Sequence, residues 1–272
     1  VRRVRYSEFT PHPGLVGVVD CVWTLEGQAS GDAEPVLPDG RPEIVLHFGE
    51  PFQRLGGDGT CERQPSILYA GQLTRQLLLQ PTGRIGVLGV RFHPHGAATL
   101  LAIPQHDLAG VPLDIETISR PLARALRSVQ DSAADLTQAV DLVQRVLVGR
   151  IERARIDPRV RVAVEAIERT RGRLPIDRLA DASGLTCRHL ERRFLAAVGV
   201  TPKRLARLAR FQHALRLLGR ESPRRGTDTA LACGYADQSH FIRDFRRIAG
   251  CSPGEHLLRQ GELTGFFIGS SQ

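Results

Sequence analysis

Two stretches of the chain, fifty residues apart, repeat one spacing of small, turn-forming and bulky residues. The first runs Ala180-Asp-Ala-Ser-Gly184-Leu185, then Leu190 and Phe194, then Gly199 and Thr201-Pro202. The second runs Ala230-Leu-Ala-Cys-Gly234-Tyr235, then Phe241 and Phe245, then Gly250 and Ser252-Pro253, with one extra residue. Such a repeat points to one supersecondary unit used twice. A helix-turn-helix fits the spacing, because it crosses two short helices steeply through a tight turn. Gly184 and Gly234 suit a position of positive φ, where a Cβ clashes. Ala180 and Ala230 let the two helices approach, and Leu185 and Tyr235 fill the space under the turn. Leu190 with Phe194, and Phe241 with Phe245, are i,i+4 pairs that anchor each second helix. The opposite face then carries Arg188, His189, Glu191 and Arg192 in the first unit, and Gln238, Ser239, His240 and Arg243 in the second. These side chains can pair with base edges in a major groove. One Ala-xxx-Gly alone fits many core hairpins; two copies with matching ends favour a DNA reader.

Charge agrees with the repeat. Residues 1–150 hold 14 arginines against 16 acids, a net −2. Residues 151–272 hold 22 arginines and Lys203 against 13 acids, a net +10. A basic half joined to a near-neutral one suggests a polyanion-binding module with a second, different unit.

The fold class expected is α+β. A mainly β, barrel-like N-terminal domain over 1–151 ends in a helical part at about 119–151. An all-α DNA-binding domain follows at 158–260, with helix-turn-helix units at about 176–197 and 228–248. The strand signals are Val16 to Leu25, Glu43 to Phe48 and Arg84 to Phe92, whose glycines suggest bulges or close backbone approach. Leu37-Pro38-Asp39-Gly40-Arg41-Pro42 reads as a turn. Gly96 to Ala102 reads as a short helix. Leu122, Leu126, Val129, Leu136, Val140, Val143 and Leu147 have helical spacing, in two helices broken near Asp131-Ser132, and mark a core stripe or a dimer seam. Charged residues from Arg150 to Pro158 mark the linker. A long helix from about Pro202 to Leu218 joins the two repeat units.

Other chemistries find little support. Cys21, Cys61, Cys187, Cys233 and Cys251 are scattered and odd in number, which argues against a disulfide framework or zinc ribbon. His93 and His95, with His47 and Glu43, could imitate a metal site of an enzymatic N-terminal domain, but their spacing matches no firm ligand pattern. No nucleophile-elbow, HExxH or phosphate-loop pattern occurs. No enzyme activity, cofactor or metal is expected. No run of eighteen apolar residues exists, and no apolar stretch with a cleavage site follows Val1 to Thr10, so neither a membrane helix nor a signal peptide is expected and the cytoplasm is the expected compartment.

Gly234-Tyr235-Ala236-Asp237-Gln238-Ser239-His240-Phe241, followed by Arg243-Asp-Phe245-Arg246-Arg247, Gly250 and Ser252-Pro253, resembles the signature of AraC/XylS-type transcription regulators. The resemblance covers roughly 158–260. It implies two helix-turn-helix units reading adjacent major-groove segments of double-stranded DNA, roughly 34 Å apart on one face. It implies base contacts at Arg188, Glu191 and Arg192, and at Gln238, Ser239, His240 and Arg243. For Glu191, an ion pair with Arg188 or Arg192 is the competing role. Thr186, Arg207, Arg210, Arg246 and Arg247 are the candidate phosphate contacts. RNA polymerase, a second copy of the chain and an unidentified small-molecule effector are candidate partners; a membrane is not. One departure stands out: Arg224-Arg225-Gly226-Thr227-Asp228 is polar where the family enters its helix with an apolar residue. DNA-repair methyltransferases that share this helix-turn-helix type need a zinc-bound cysteine cluster, which these cysteines do not supply. The N-terminal motifs Leu37-Pro38-Asp39-Gly40-Arg41-Pro42-Glu43, Ala70-Gly71-Gln72 and Gly89-Val90-Arg91-Phe92-His93-Pro94 resemble a sensor domain found ahead of this unit in some actinobacterial-type regulators, with no defined ligand.

Overall fold

A computed structural model describes residues 4–28, 31–110, 112–151, 156–219 and 226–258. Part of the expected linker, 152–155, and Arg224 and Arg225 lie outside the described residues.

The first half is built on two antiparallel sheets. Strands β1 (Arg5–Phe9), β2 (Val19–Gln28), β3 (Glu34–Val36), β4 (Glu43–His47) and β5 (Gln53–Leu55) are followed by β6 (Cys61–Arg63), β7 (Ile67–Ala70), β8 (Leu77–Gln80), β9 (Arg84–Phe92) and β10 (Leu113–Asp114). The larger sheet has the order β1-β2-β9-β4-β7-β10, the smaller β3-β8-β5-β6. The mainly β, barrel-like expectation therefore takes the form of two open sheets, each with two edge strands. The strand expected over Val16 to Leu25 begins only at Val19; Val16 instead caps a short 3-10 turn, Pro13–Leu15. Leu15 and Val18 are buried by packing, not by strand pairing, which is why their run imitates a strand.

Alternation along the large sheet separates two environments. Val22, Ile44, Leu46, Ile67, Leu88 and Val90 enter a core with the helices that follow. Trp23, Leu25 and Val87 sit on the other face, in a second cluster with Phe52. Gly89 is on that second face, opposite Trp23 in the ladder. A Cβ there would lie 2.1 Å from the indole, so only glycine lets Trp23 lie against the strand. The close-approach reading of the β9 glycines thus holds at Gly89, whereas the register irregularity sits in β2, between Val19 and Cys21.

Helices α1 (Ala97–Leu101), α2 (Ile115–Ile118), α3 (Arg120–Ser132) and α4 (Leu136–Ile151) cover the first face. The break between α3 and α4 falls at residues 133–135, just after the Asp131-Ser132 position expected, and Asp135 accepts from the Gln138 N–H there. All seven residues of the apolar stripe are buried in the chain's own core. Those seven side chains therefore serve as core.

The second half is helical throughout its described residues: α5 (Pro158–Arg169), α6 (Ile176–Ala182), α7 (Cys187–Val198), α8 (Pro202–Leu218), α9 (Gly226–Ala232), α10 (Gln238–Ala249) and α11 (Pro253–Leu258). Asp157 caps α5 and Thr201 caps α8, each ahead of a proline in the first turn, where its missing N–H costs nothing. Two cores result. One joins α5, α6, α7 and the start of α8; the other joins the rest of α8 to α9 and α10. The second core also contains Leu37, 6% exposed, from the N-terminal half.

Candidate nucleic-acid interface

The two repeats fold into the same turn. The Leu185 N–H donates to Ala180 O at 3.0 Å, and the Tyr235 N–H donates to Ala230 O at 3.0 Å. Gly184 has φ +62° and Gly234 φ +77°, the left-handed region that glycine reaches without strain. Ala180 and Ala230 are buried at the crossings, Tyr235 is buried and Leu185 half-buried. The second helix of each unit starts on a side-chain cap. Thr186 Oγ1 accepts from the His189 N–H at 3.3 Å, and Asp237 Oδ1 accepts from the His240 N–H at 2.6 Å. Each ends on a left-handed glycine, Gly199 or Gly250. Leu190, Phe194, Phe241 and Phe245 are all buried, as the i,i+4 pattern requires. The polar entry to the second unit does not prevent its first helix, since α9 begins at Gly226.

With the apolar faces turned inward, the opposite faces are open. Arg188, His189, Glu191 and Arg192 are exposed on α7. Gln238, Ser239 and Arg243 are exposed on α10. His240 is half-buried, its ring edge-on to Tyr235 at 5.3 Å, so it helps shape the start of α10 as well as its surface. Among the described residues, no ion pair joins Glu191 to Arg188 or Arg192; the arginine of α7 that does pair is Arg193, with Asp157 at 2.7 Å.

The five expected phosphate contacts divide. Thr186, Arg246 and Arg247 are exposed. The Thr186 oxygen serves the helix cap, which leaves its hydroxyl proton to donate. Arg207 pairs instead with buried Asp244 at 3.4 Å. Arg210 donates to Gly172 O and lies over the Tyr235 ring, 5.8 Å from its centre, so it ties α8 to both units rather than facing outward. Burial lowers the pKa of Arg204, and Arg247, Arg207 and Arg75 push it the same way, so these four cations share one positive field. Arg75 comes from the N-terminal half, and nothing in its local sequence marks it for this cluster.

The N-terminal motifs converge on the back of the two units. Arg41 reaches Glu168 of α5 at 3.1 Å and Asp20 at 3.3 Å, with the His93 ring at 3.3 Å. Gln72 donates to Gly40 O at 2.7 Å, and Gln212 of α8 donates to Pro38 O at 2.7 Å. The Gln76 N–H donates to Ile248 O of α10 at 2.9 Å. Arg91 is 2% exposed and holds Glu43 at 2.7 Å and Asp39 at 3.5 Å. Burial alone would lower the pKa of Arg91; Glu43 and Asp39 outweigh it and keep the guanidinium charged. A turn with this many buried partners is an assembled joint, and the partners were beyond local sequence patterns.

The imagined metal set does not assemble. Glu43 is bonded to Arg91 and Trp23. The His93 and His95 rings stack 6.1 Å apart, and burial lowers the pKa of His95 to about 4. Among the described residues, no group of three or more His, Cys, Asp or Glu side chains converges as a metal site. No helix among them is long and apolar enough to cross a membrane.

Comparison with known proteins places residues 179–259 in a helix-turn-helix domain family and residues 7–114 in a domain family of unknown function, DUF6597. The transcriptional activator RhaS of Escherichia fergusonii is 41% identical over 83 residues, covering 30% of this chain and 29% of RhaS. The chain thus spans under a third of the length of the curated relatives it matches. A probable AraC family transcriptional regulator from Rhodopseudomonas palustris is 34% identical, with TM-score 0.35, over 38% of this chain and 97% of that one. ToxT from Vibrio cholerae is 12% identical, with TM-score 0.44, over 97% of this chain and 98% of that one.

Proposed function

Because its C-terminal part is an AraC/XylS-type helix-turn-helix domain, we propose that this chain regulates transcription by reading duplex DNA with α7 and α10 together. The observation that carries the reading is the repeated turn with an open polar face on each second helix. One chain then supplies both recognition helices, and its site need not be palindromic. Arg188, Arg192 and Arg243 are assigned to guanines, Gln238 to adenine, and Glu191 to a cytosine amino group. Ser239 and His240 read at the start of α10. Thr186, Arg246 and Arg247 are assigned to phosphates, with Arg207 and Arg210 holding the scaffold beneath them. We take residues 1–151 and 158–260 as the two functional units, the first acting on the second. RNA polymerase, a second protomer and a small-molecule effector remain candidate partners of this arrangement.

The test is selection of binding sites from random duplex DNA with the intact chain. A single asymmetric consensus of two adjacent major-groove segments supports the reading. Binding without sequence preference, or loss of preference at neither segment when Arg192 and Arg243 are separately replaced by Ala, overturns it.

A further inference from the structure

Beside the end of α10 lies an open groove whose two banks come from different halves of the chain. Arg246, Arg247 and Gly250 belong to one bank, and Arg54, Arg75 and Leu77 to the other. No acid among the described residues lines it. Arg54 is answered by Glu62, and Arg207 nearby on α8 by Asp244. Among the described residues, no carboxylate pairs with Arg75, Arg204, Arg246 or Arg247.

Arg75 is exposed on the bend that leads into β8, and its chain neighbour fixes it there. The Gln76 N–H donates to Ile248 O of α10 at 2.9 Å, and the Gln76 amide occupies the space a side chain at Gly250 would need. A cation from the half with more acids than bases is thus held against the basic half. The positive field extends onto α8. Burial lowers the pKa of Arg204, and repulsion from Arg247, Arg207 and Arg75 lowers it further. Cations gathered without counter-charge repel one another, and a polyanion drawn to them relieves that repulsion.

The reading face of α10 runs into this groove. Ser239, Arg243, Arg246 and Gly250 follow one another at three- or four-residue steps, all exposed, so they form one stripe. Its far end, Arg246 and Gly250, borders the groove together with Arg75. A duplex held by Arg243 brings its backbone along that stripe. Duplex DNA carries one negative charge per roughly 1.7 Å of its axis, a density that suits closely set cations.

We propose that Arg75, from the N-terminal half, contacts the DNA backbone, and that with Arg204 and Arg247 it holds a phosphate next to the segment α10 reads. The proposal rests on the DNA-binding reading and deepens it: the two helix-turn-helix units alone then form an incomplete interface. Arg75 acts on charge and position, not on base identity.

The test uses the intact protein with a duplex bearing its selected site and with a scrambled duplex. Arg75→Ala should weaken binding to both roughly three- to tenfold at about 0.1 M salt, and lower the salt slope by about 1. Arg75→Lys, which keeps the charge, should restore both quantities, and Arg75→Glu should weaken binding further. Phosphate ethylation interference with the wild-type chain should mark a backbone position beside the α10 segment. Arg75→Ala should erase that mark and leave the others. The pattern is read from bound complexes alone, so it holds whatever a variant does to stability. An unchanged slope in Arg75→Ala, a loss that Arg75→Lys does not restore, or an unaltered interference pattern overturns the contact. Sequence preference is read separately. A chain that selects a consensus but ignores Arg75→Ala loses only this contact. A chain that binds all duplexes alike yet weakens with Arg75→Ala keeps the contact and loses the sequence-reading proposal.

Discussion

The side-chain amide of Gln212 donates to the carbonyl oxygen of Pro38 at 2.7 Å, a buried bond between positions 174 residues apart. It fastens the N-terminal turn to α8, the helix that packs into the cores of both helix-turn-helix units. Leu37 enters the apolar core beside it, and Arg41 reaches α5 on the far side. One five-residue turn thus touches α5, α8 and the core of the second unit, while the polar faces of α7 and α10 stay open.

Replacing Leu37 with Ala should create a cavity in the second unit's core and cost roughly 2–5 kcal/mol. Urea unfolding of the intact chain measures it. Gln212→Ala strands the Pro38 carbonyl and should cost about 1–3 kcal/mol. The two residues share one joint, so a double-mutant cycle should show non-additive losses. Strict additivity would mean that the turn is not a single structural unit.

Arg243→Ala should cost about 1–3 kcal/mol at one base pair and relax preference there. Arg246→Ala and Arg247→Ala should instead weaken binding to all sequences alike, each reducing the salt slope by about 1. Titrating selected and scrambled duplexes at several salt concentrations separates the two behaviours.

Gly89→Ala should destabilise the N-terminal half, since the new methyl must displace the Trp23 ring and overpacking costs typically about 1–3 kcal/mol. Tryptophan fluorescence reports it directly, because the chain has one Trp. Gly184→Ala meets open space and strains only the backbone, so its cost should be smaller, about 1 kcal/mol.

Acid should loosen the protein well above ordinary carboxylate protonation. Burial lowers the pKa of His47 and of His95 to about 4, from an ordinary 6.5. For His47, Gln64 opposes this and Arg63 adds to it; for His95, His93 adds to it, the Gly17 backbone opposes it, and Arg161 and Arg41 add to it. A depressed histidine contributes stability in full above about pH 6.5, and that contribution falls as pH drops toward 4. Each ring should contribute up to about 3 kcal/mol across that window. Denaturant midpoints measured from pH 7 to pH 4 should fall, and His47→Phe should flatten part of the fall.

The helix-turn-helix units were legible because their constraints are local. Ala180, Gly184 and Leu185 lie within one turn of each other, so steric demands write themselves into adjacent letters. The long α8 and the α3–α4 stripe were legible for the same reason. Strands β3, β5, β6 and β8 carry no such signal: they are three or four residues long and mostly half-buried or exposed, with Pro35 inside one of them. The roles of Leu37, Arg41 and Gln72 were hidden by distance. Each motif stands out in the sequence as a motif, but what Leu37 does depends on residues from 208 onward. Arg207 and Arg210 show the converse: a basic residue on the polar side of a helix pattern can still be turned inward by a partner on another helix, Asp244 or Gly172.

Leu37 also has a bearing on how the chain is made. Ribosomal synthesis delivers it long before the residues it packs with, and N-terminal segments generally fold first. The core of the second unit therefore cannot be complete until residues from 208 onward have joined Leu37. A half-made protein lacks a finished second helix-turn-helix unit.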